Sequence, residues 1–332
     1  MGWKGTLRSV NAAVNRMERE ANRRQRELAR QQKIQNKINE LEQAAYEVEI
    51  FNDYIKKIKT IHTECSPVID WMRIARQAEP VKPTRLSAKE VAAKRKLENF
   101  KPGIFQKLLG RSEEAKKKLQ NKVIAAKCED DEVYENALRE YQLDMLSWSD
   151  ECGLARKVIC GDPQSYIHVL EKFGGFKEIG DLGTGLQFTV SEEAFVGVDL
   201  NIHSKDIIPA DSKSLLQSGK LSVKKMNKIM FNELFQDYVC SAVLRVAREV
   251  FAVLPVDKAE ITAVDEILNR STGHLETQPI LSVLVARDTL ESINLDAIDP
   301  SDSMSNFVCN MEFKKTSGFN VVERLSWRVE VA

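Results

Sequence analysis

From Leu7 to about Ile61 the chain has no proline and no glycine. Apolar or small residues return there every three or four positions: Val10, Val14, Met17 and Ala21, then Ile34, Ile38, Leu41, Ala45, Val48, Ile55 and Ile58. That period draws one stripe along a helix. At ~1.5 Å per residue such a helix would run roughly 80 Å, so part of it must project or pair with another helix. Pro80 and Pro83 break the pattern in a linker over about 79–86, and Ser87-Ala88-Lys89-Glu90 then has the spacing of a capping box that opens a short helix. Pro102-Gly103 ends it, and a second hinge covers about 101–111. Another long helix is expected from Ser112, with Glu113 and Glu114 in its first turn and a stripe through Leu119, Val123, Ala137, Tyr141, Met145 and Trp148. Two long striped helices predict an antiparallel hairpin or a dimeric coiled coil, and the pattern does not choose between them.

At Gly161-Asp162-Pro163 the period changes, because Gly ends a helix, Asp caps the next and Pro fits its first turn. The expected organisation is a helical region over 1–160 and a compact α+β domain over 161–332. The second part reads as a helix from Gln164 to about Lys172, then strands at Leu186–Val190, Phe195–His203 and around Ile207–Ile208. A helix follows from about Val223 to Leu254, apolar on most faces in its second half as a buried helix would be, and Pro255 ends it. Strands at Ala259–Val264, Ile280–Ala286 and Val308–Phe313, with a short Asp288–Ile293 helix before the last, complete the order α-β-β-β-α-β-β-α-β. The fold class is α+β with a mixed sheet.

A length of 332 residues favours two domains. The charged fraction of 30% exceeds the ~25% of ordinary globular chains, as a long solvated helix requires. Net charge is zero but polarised, since residues 1–40 carry ten Lys and Arg against four Asp and Glu. Arg19, Arg23, Arg24, Arg26 and Arg30 could neutralise nucleic-acid phosphates. Equally, they suit a solvated coiled-coil face balanced by Glu18, Glu20 and Glu27, and aromatic residues for base stacking are nearly absent.

The six cysteines are widely spaced with no C-x-x-C pair, which points to reduced packing residues. No apolar run reaches the ~20 residues that span a bilayer and the amino terminus lacks the apolar core of a signal peptide, so a cytoplasmic address and no membrane partner are expected. No H-E-x-x-H, Walker lysine, G-x-S-x-G or kinase signature is present, and Gly180, Gly183 and Gly185 precede a strand rather than cradle a dinucleotide. Of the four histidines only His203, on the Asp199 side of its strand, invites a test. Arg245, Arg248 and Glu249 interrupt an apolar helix, for an ion pair with a strand carboxylate or for contact with an anion.

The order α-β-β-β-α-β over residues 163–264 is similar to the core of the PD-(D/E)xK restriction-endonuclease-like superfamily. Asp199 stands opposite Val196, Val198, Leu200 and Ile202 on its strand, and Asp211-Ser212-Lys213 follows a turn later. The resemblance implies that Asp199 and Asp211 hold Mg²⁺ and that Lys213 serves the attacking water, with Glu171 or Glu178 as a third carboxylate. No proline precedes Asp199, and Pro209 sits just before the second motif. The whole chain also resembles a group of uncharacterised bacterial proteins, through its opening Met1-Gly2-Trp3, the Arg/Gln-rich helix, Phe235-Gln236-Asp237-Tyr238-Val239-Cys240 and Thr272-Gly273-His274-Leu275-Glu276.

The leading expectation is an interaction or assembly protein, with a self-associating or partner-binding helical arm and a globular docking or sensing domain. The alternatives are a Mg²⁺-dependent nuclease, active in defence against foreign DNA, and a non-catalytic nucleic-acid-binding protein.

Overall fold

The computed structural model describes residues 3–101, 112–176, 185–202, 207–268 and 272–325, with side chains from residue 24 onward. The uninterrupted stripe at the start of the chain forms one helix, α1 (Trp3–Lys59), followed by a 3-10 turn, Ile61–Thr63. The protein is α+β, with long helices first and a mixed sheet after them. Among the described residues no helix is long and apolar enough to cross a membrane.

Its chain divides into two units, though not at Gly161. One holds Met1–Val68, Val169–Ser191 and Phe195–Ala332; the other holds Ile69–His168 and Glu192–Ala194. The local reading of Gly161-Asp162-Pro163 is sound, since Gly161 has φ +76° and Asp162 caps α5 (Pro163–Phe173) by accepting from the Ser165 N–H at 2.9 Å. The division falls instead within α5, after His168.

In the helical unit, α4 (Ser112–Ile159) packs against α2 (Trp71–Ala75) and α3 (Ala88–Glu98). Trp71 and Cys152 are buried there, and Cys152 Sγ donates to the Ile74 carbonyl at 3.2 Å. The expected capping box does not form, because the Ser87 side chain makes no capping hydrogen bond. Asp130, reaching over from α4 and buried, accepts from the Glu90 N–H at 2.9 Å. Glu90 itself pairs with Arg85 at 3.1 Å and Lys94 at 2.8 Å.

In the other unit the five-stranded sheet has the order β1 (Gly185–Val190), β2 (Val196–Ile202), β5 (Lys258–Leu268), β6 (Leu275–Ala286), β7 (Val308–Met311). All neighbours are antiparallel except β2 and β5, which run parallel. A parallel pair needs a crossover. It is supplied by the hairpin β3 (Asp211–Leu215) with β4 (Leu221–Lys225) and by the central helix α6 (Lys228–Val253).

Here the structure departs from the expected third strand. Ile207 and Ile208 are buried outside any strand, and residues expected to begin the central helix at Val223 belong to β4. The helix starts only after Asn227, whose Oδ1 accepts from the Met230 N–H at 2.8 Å. Eighteen of its residues are buried, as its apolar faces require. Arg287, opening α7 (Arg287–Ser292), closes its far end by donating to the carbonyls of Leu254 at 2.7 Å and Val256 at 2.9 Å.

The last third of α1 packs on α6 and the β3–β4 hairpin, burying Ala44 and Ile58. Gly219, at the hairpin tip with φ +78°, lies under Leu41: an added Cβ would meet Leu41 Cδ2 at 3.0 Å. Each long helix thus finds packing partners inside its own unit. A four-residue α8 (Pro300–Ser303) and a two-stranded sheet of β8 (Phe313–Lys314) and β9 (Gly318–Phe319) complete the described elements.

Candidate functional sites

The sequence pattern of β2 is realised in its burial. Val196, Val198, Leu200 and Ile202 are buried, while Gly197, Asp199 and Asn201 lie on the opposite face. Register carries that polar face across the sheet: Asp199 stands beside Gln187 and Thr262, Glu260 beside Gly197, and Thr262 beside Ser282. Thr262 Oγ1 and Ser282 Oγ share a hydrogen bond at 3.0 Å, and Ser282 Oγ approaches Glu260 Oε1 at 3.5 Å.

The chain segment after β9 crosses this face. Its Val322 N–H donates to the Pro279 carbonyl at 2.9 Å, and Leu325 N–H donates to Ser282 Oγ at 3.0 Å. Arg324 forks onto Asp199 with Nη1–Oδ1 at 2.6 Å and Nη2–Oδ2 at 3.0 Å, the bidentate geometry that suits a guanidinium and a carboxylate. A cleft of about 560 Å³ remains beside it, lined by Thr189, Phe195, Asp199, Glu260 and Arg324 among others. Burial pushes the Glu260 carboxyl above the usual carboxylate range, against the pull of Arg324 and the Ser282 hydrogen bond and with the Asp199 charge adding to the rise. The face therefore offers one ion-paired carboxylate, one carboxyl that holds its proton more tightly than usual and two hydroxyls, a set that binds polar groups by hydrogen bonding.

The residues expected to form a nuclease centre lie in two different sheets. Asp199 lies on the five-stranded sheet with its oxygens on Arg324. Asp211 and Lys213 lie on β3 of the separate hairpin, where Lys213 Nζ pairs with Glu47 of α1 at 3.0 Å. Glu171 is exposed on α5; Glu178 and His203 are outside the described residues. Among the described residues no group of three or more His, Cys, Asp or Glu could hold a metal ion. The hairpin, unread in the sequence, is the reason: it takes Asp211 and Lys213 into a sheet of their own. The carboxyl that neighbours Asp199 is Glu260, whose signal was its place among apolar residues on a buried strand.

Two further polar groups sit in the core, one on α6 and one packed against it. Glu249, with no exposure, accepts from Ser66 N–H and Gly175 N–H, each at 3.0 Å, and pairs with Arg245 Nη2 at 2.8 Å. The partner expected on a strand is thus a carboxylate one turn along the same helix. Buried His62 places Nε2 2.9 Å from the Leu295 carbonyl and Nδ1 2.7 Å from Ser241 Oγ. A carbonyl only accepts, so Nε2 carries the proton and Nδ1 accepts from the serine. Arg248 donates to the His62 carbonyl. These contacts hold the end of α1 on α6.

The front of α1 presents another surface. Residues 24–40 are all exposed, including Arg24, Arg26 and Arg30; for Arg19 and Arg23 the helical backbone alone is described. Leu28, Ile34 and Ile38 are 60%, 61% and 41% exposed. Compared with known proteins, the chain matches no family model, no curated protein and no solved structure.

Proposed function

We propose that this chain is an interaction or assembly protein, in which α1 is a self-associating or partner-binding arm and the sheet unit is a docking or sensing module. One observation carries the reading: a stretch of seventeen consecutive exposed helical residues, 24–40, displays Leu28, Ile34 and Ile38 to solvent. A polar helix that projects without neighbours gains little from propensity. Burying each large aliphatic side chain on a partner contributes about 1.5–3 kcal/mol, so association stabilises what the free arm leaves exposed. The cleft beside Asp199 and Glu260 supports the second half of the proposal, as a concave site on the sheet with a few polar side chains among apolar ones. The reading keeps the cytoplasmic address expected from the sequence.

Light scattering on the purified protein tests it. The expected mass is a multiple of 37.7 kDa for the parent and a single 37.7 kDa for Ile34→Asp/Ile38→Asp, with the helical circular dichroism of the two equal because both positions are exposed. A parent that stays at one copy at tens of micromolar, by the order of weak assembly affinities, refutes the self-associating arm.

A further inference from the structure

Resting on the assembly reading, we infer that the partner of α1 is α1 of a second copy of this chain, laid antiparallel across residues 24–49 with the two-fold axis between residues 36 and 37. Positions 24, 28, 31, 35, 38, 42, 45 and 49 alternate steps of four and three and so form a single coiled-coil seam. Every one of them is exposed. At 100° per residue this seam lies on the side of α1 away from Ala44 and Ile58, which are buried against the protein's own sheet unit, so a second helix reaches it without displacing that packing.

Charge sets the direction. The seam carries Arg24 at one end and Glu42 and Glu49 at the other. A parallel pair would place each of these against its own copy, giving three like-charged layers. Turned antiparallel, Arg24 meets Glu49 of the second copy, Gln31 can donate to its Glu42, and Leu28 packs on its Ala45, with Ile38 and its symmetry mate flanking the axis. The wider helix repeats the polarity. Between residues 24 and 37 it has five basic residues against Glu27 alone, and between 38 and 53 it has five acidic residues and no basic one. Overlap of the two stretches covers roughly 39 Å of helix, at ~1.5 Å per residue.

Cysteine pairs read the direction in the full-length chain. In a Cys128→Ser/Cys160→Ser background, which removes the exposed thiols, Leu28→Cys/Ala45→Cys is oxidised with copper phenanthroline and run without reductant. Residues 28 and 45 lie roughly 25 Å apart along one helix, far beyond the ~7 Å Cα separation a disulfide spans, so any bond between them joins two chains. The expected product is a covalent dimer from the double variant and none from Leu28→Cys alone. Arg24→Glu should weaken the dimer about ten-fold, and Arg24→Glu/Glu49→Arg should restore it to within about three-fold of the parent. Crosslinking of Leu28→Cys alone, a mass of three or more copies, or no rescue by the charge swap overturns the antiparallel pair while leaving the assembly reading standing. A monomeric parent overturns the antiparallel pair together with the self-associating arm on which it rests.

Discussion

Glu249 joins three segments that are distant in sequence: the stretch after α1 through Ser66, the end of α5 through Gly175, and its own helix through Arg245. Its charge is tolerable in the core because each of those donors points at it. Removing the charge leaves Arg245 buried beside a neutral group. Glu249→Leu is therefore expected to cost about 3–5 kcal/mol in urea unfolding, the range for breaking one side of a buried ion pair. His62 makes a pH-dependent contribution. Burial, more than any other influence, holds its pKa below the ordinary value of 6.5; the Leu295 carbonyl hydrogen bond opposes this most, the Arg248 charge adds to the lowering, and Asp296 and Asp299 oppose it. The unfolded chain thus binds the proton first as pH falls. Stability is full above pH ~6.5 and declines below it, until the folded imidazole also titrates. Unfolding free energies measured from pH 8 to pH 5 should show this decline in the parent and a flatter one in His62→Gln. Neither role was visible in the chain order, since the Ser66 and Gly175 donors to Glu249 and the Leu295 partner of His62 lie roughly 75 to 230 residues away.

The helices show how a correct local signal can still name the wrong partner. Ser87 and Glu90 have capping-box spacing, yet the start of α3 is capped by Asp130 from α4. An aspartate held in place by a packed helix needs no local turn to present its oxygen, and Glu90 is drawn instead to Arg85 and Lys94. Asp130→Ala should then speed exchange of the Glu90 amide about five-fold, equal to a cap of about 1 kcal/mol, while Ser87→Ala leaves it unchanged. The hairpin β3–β4 is a parallel case. Its sequence, with Leu215 and Leu221 flanking a turn that ends at Gly219 and Lys220, offers a strand signal, but its apolar residues are few and sparsely buried. What fixes it is α1 lying over it, through Leu41 above Gly219 and Glu47 beside Lys213. The Glu47–Lys213 pair is about one-third exposed and contributes at most about 1 kcal/mol. Shape supplies the rest of the fit: Gly219→Ala combines a positive φ with a close approach to Leu41, and should loosen the docking of α1 more than Lys213→Ala does.

Across the chain, the proposed assembly makes the exposed front of α1 and the buried end of the same helix parts of one device. Ile58 of α1 and His62 just after it are buried and hold that end on α6, while the exposed front carries the proposed seam. A helix fixed at one end pays less entropy to order its free end on a partner than an unanchored peptide does. Tightening or loosening the anchor should therefore change assembly. Ser241→Ala, which removes the His62 partner without touching residues 24–49, is expected to weaken association in light scattering by a smaller factor than Ile34→Asp/Ile38→Asp.

The chain's own order of residues was enough for the long helices, the apolar central helix with Pro255 at its end, the alternation that puts Asp199 opposite the buried face of β2, and the α+β class. These follow from periods of 3.6 and 2 that neighbouring residues carry between them. Which surfaces those elements share could not be read the same way. The placement of α1 with the sheet, the joining of Glu260 to Asp199 in place of Asp211 and Lys213, and the capping of α3 by Asp130 all depend on contacts between residues far apart in sequence. Many apolar stripes can bury one another equally well, and it is the fit of side chains and the satisfaction of buried polar groups in the folded chain that select one arrangement.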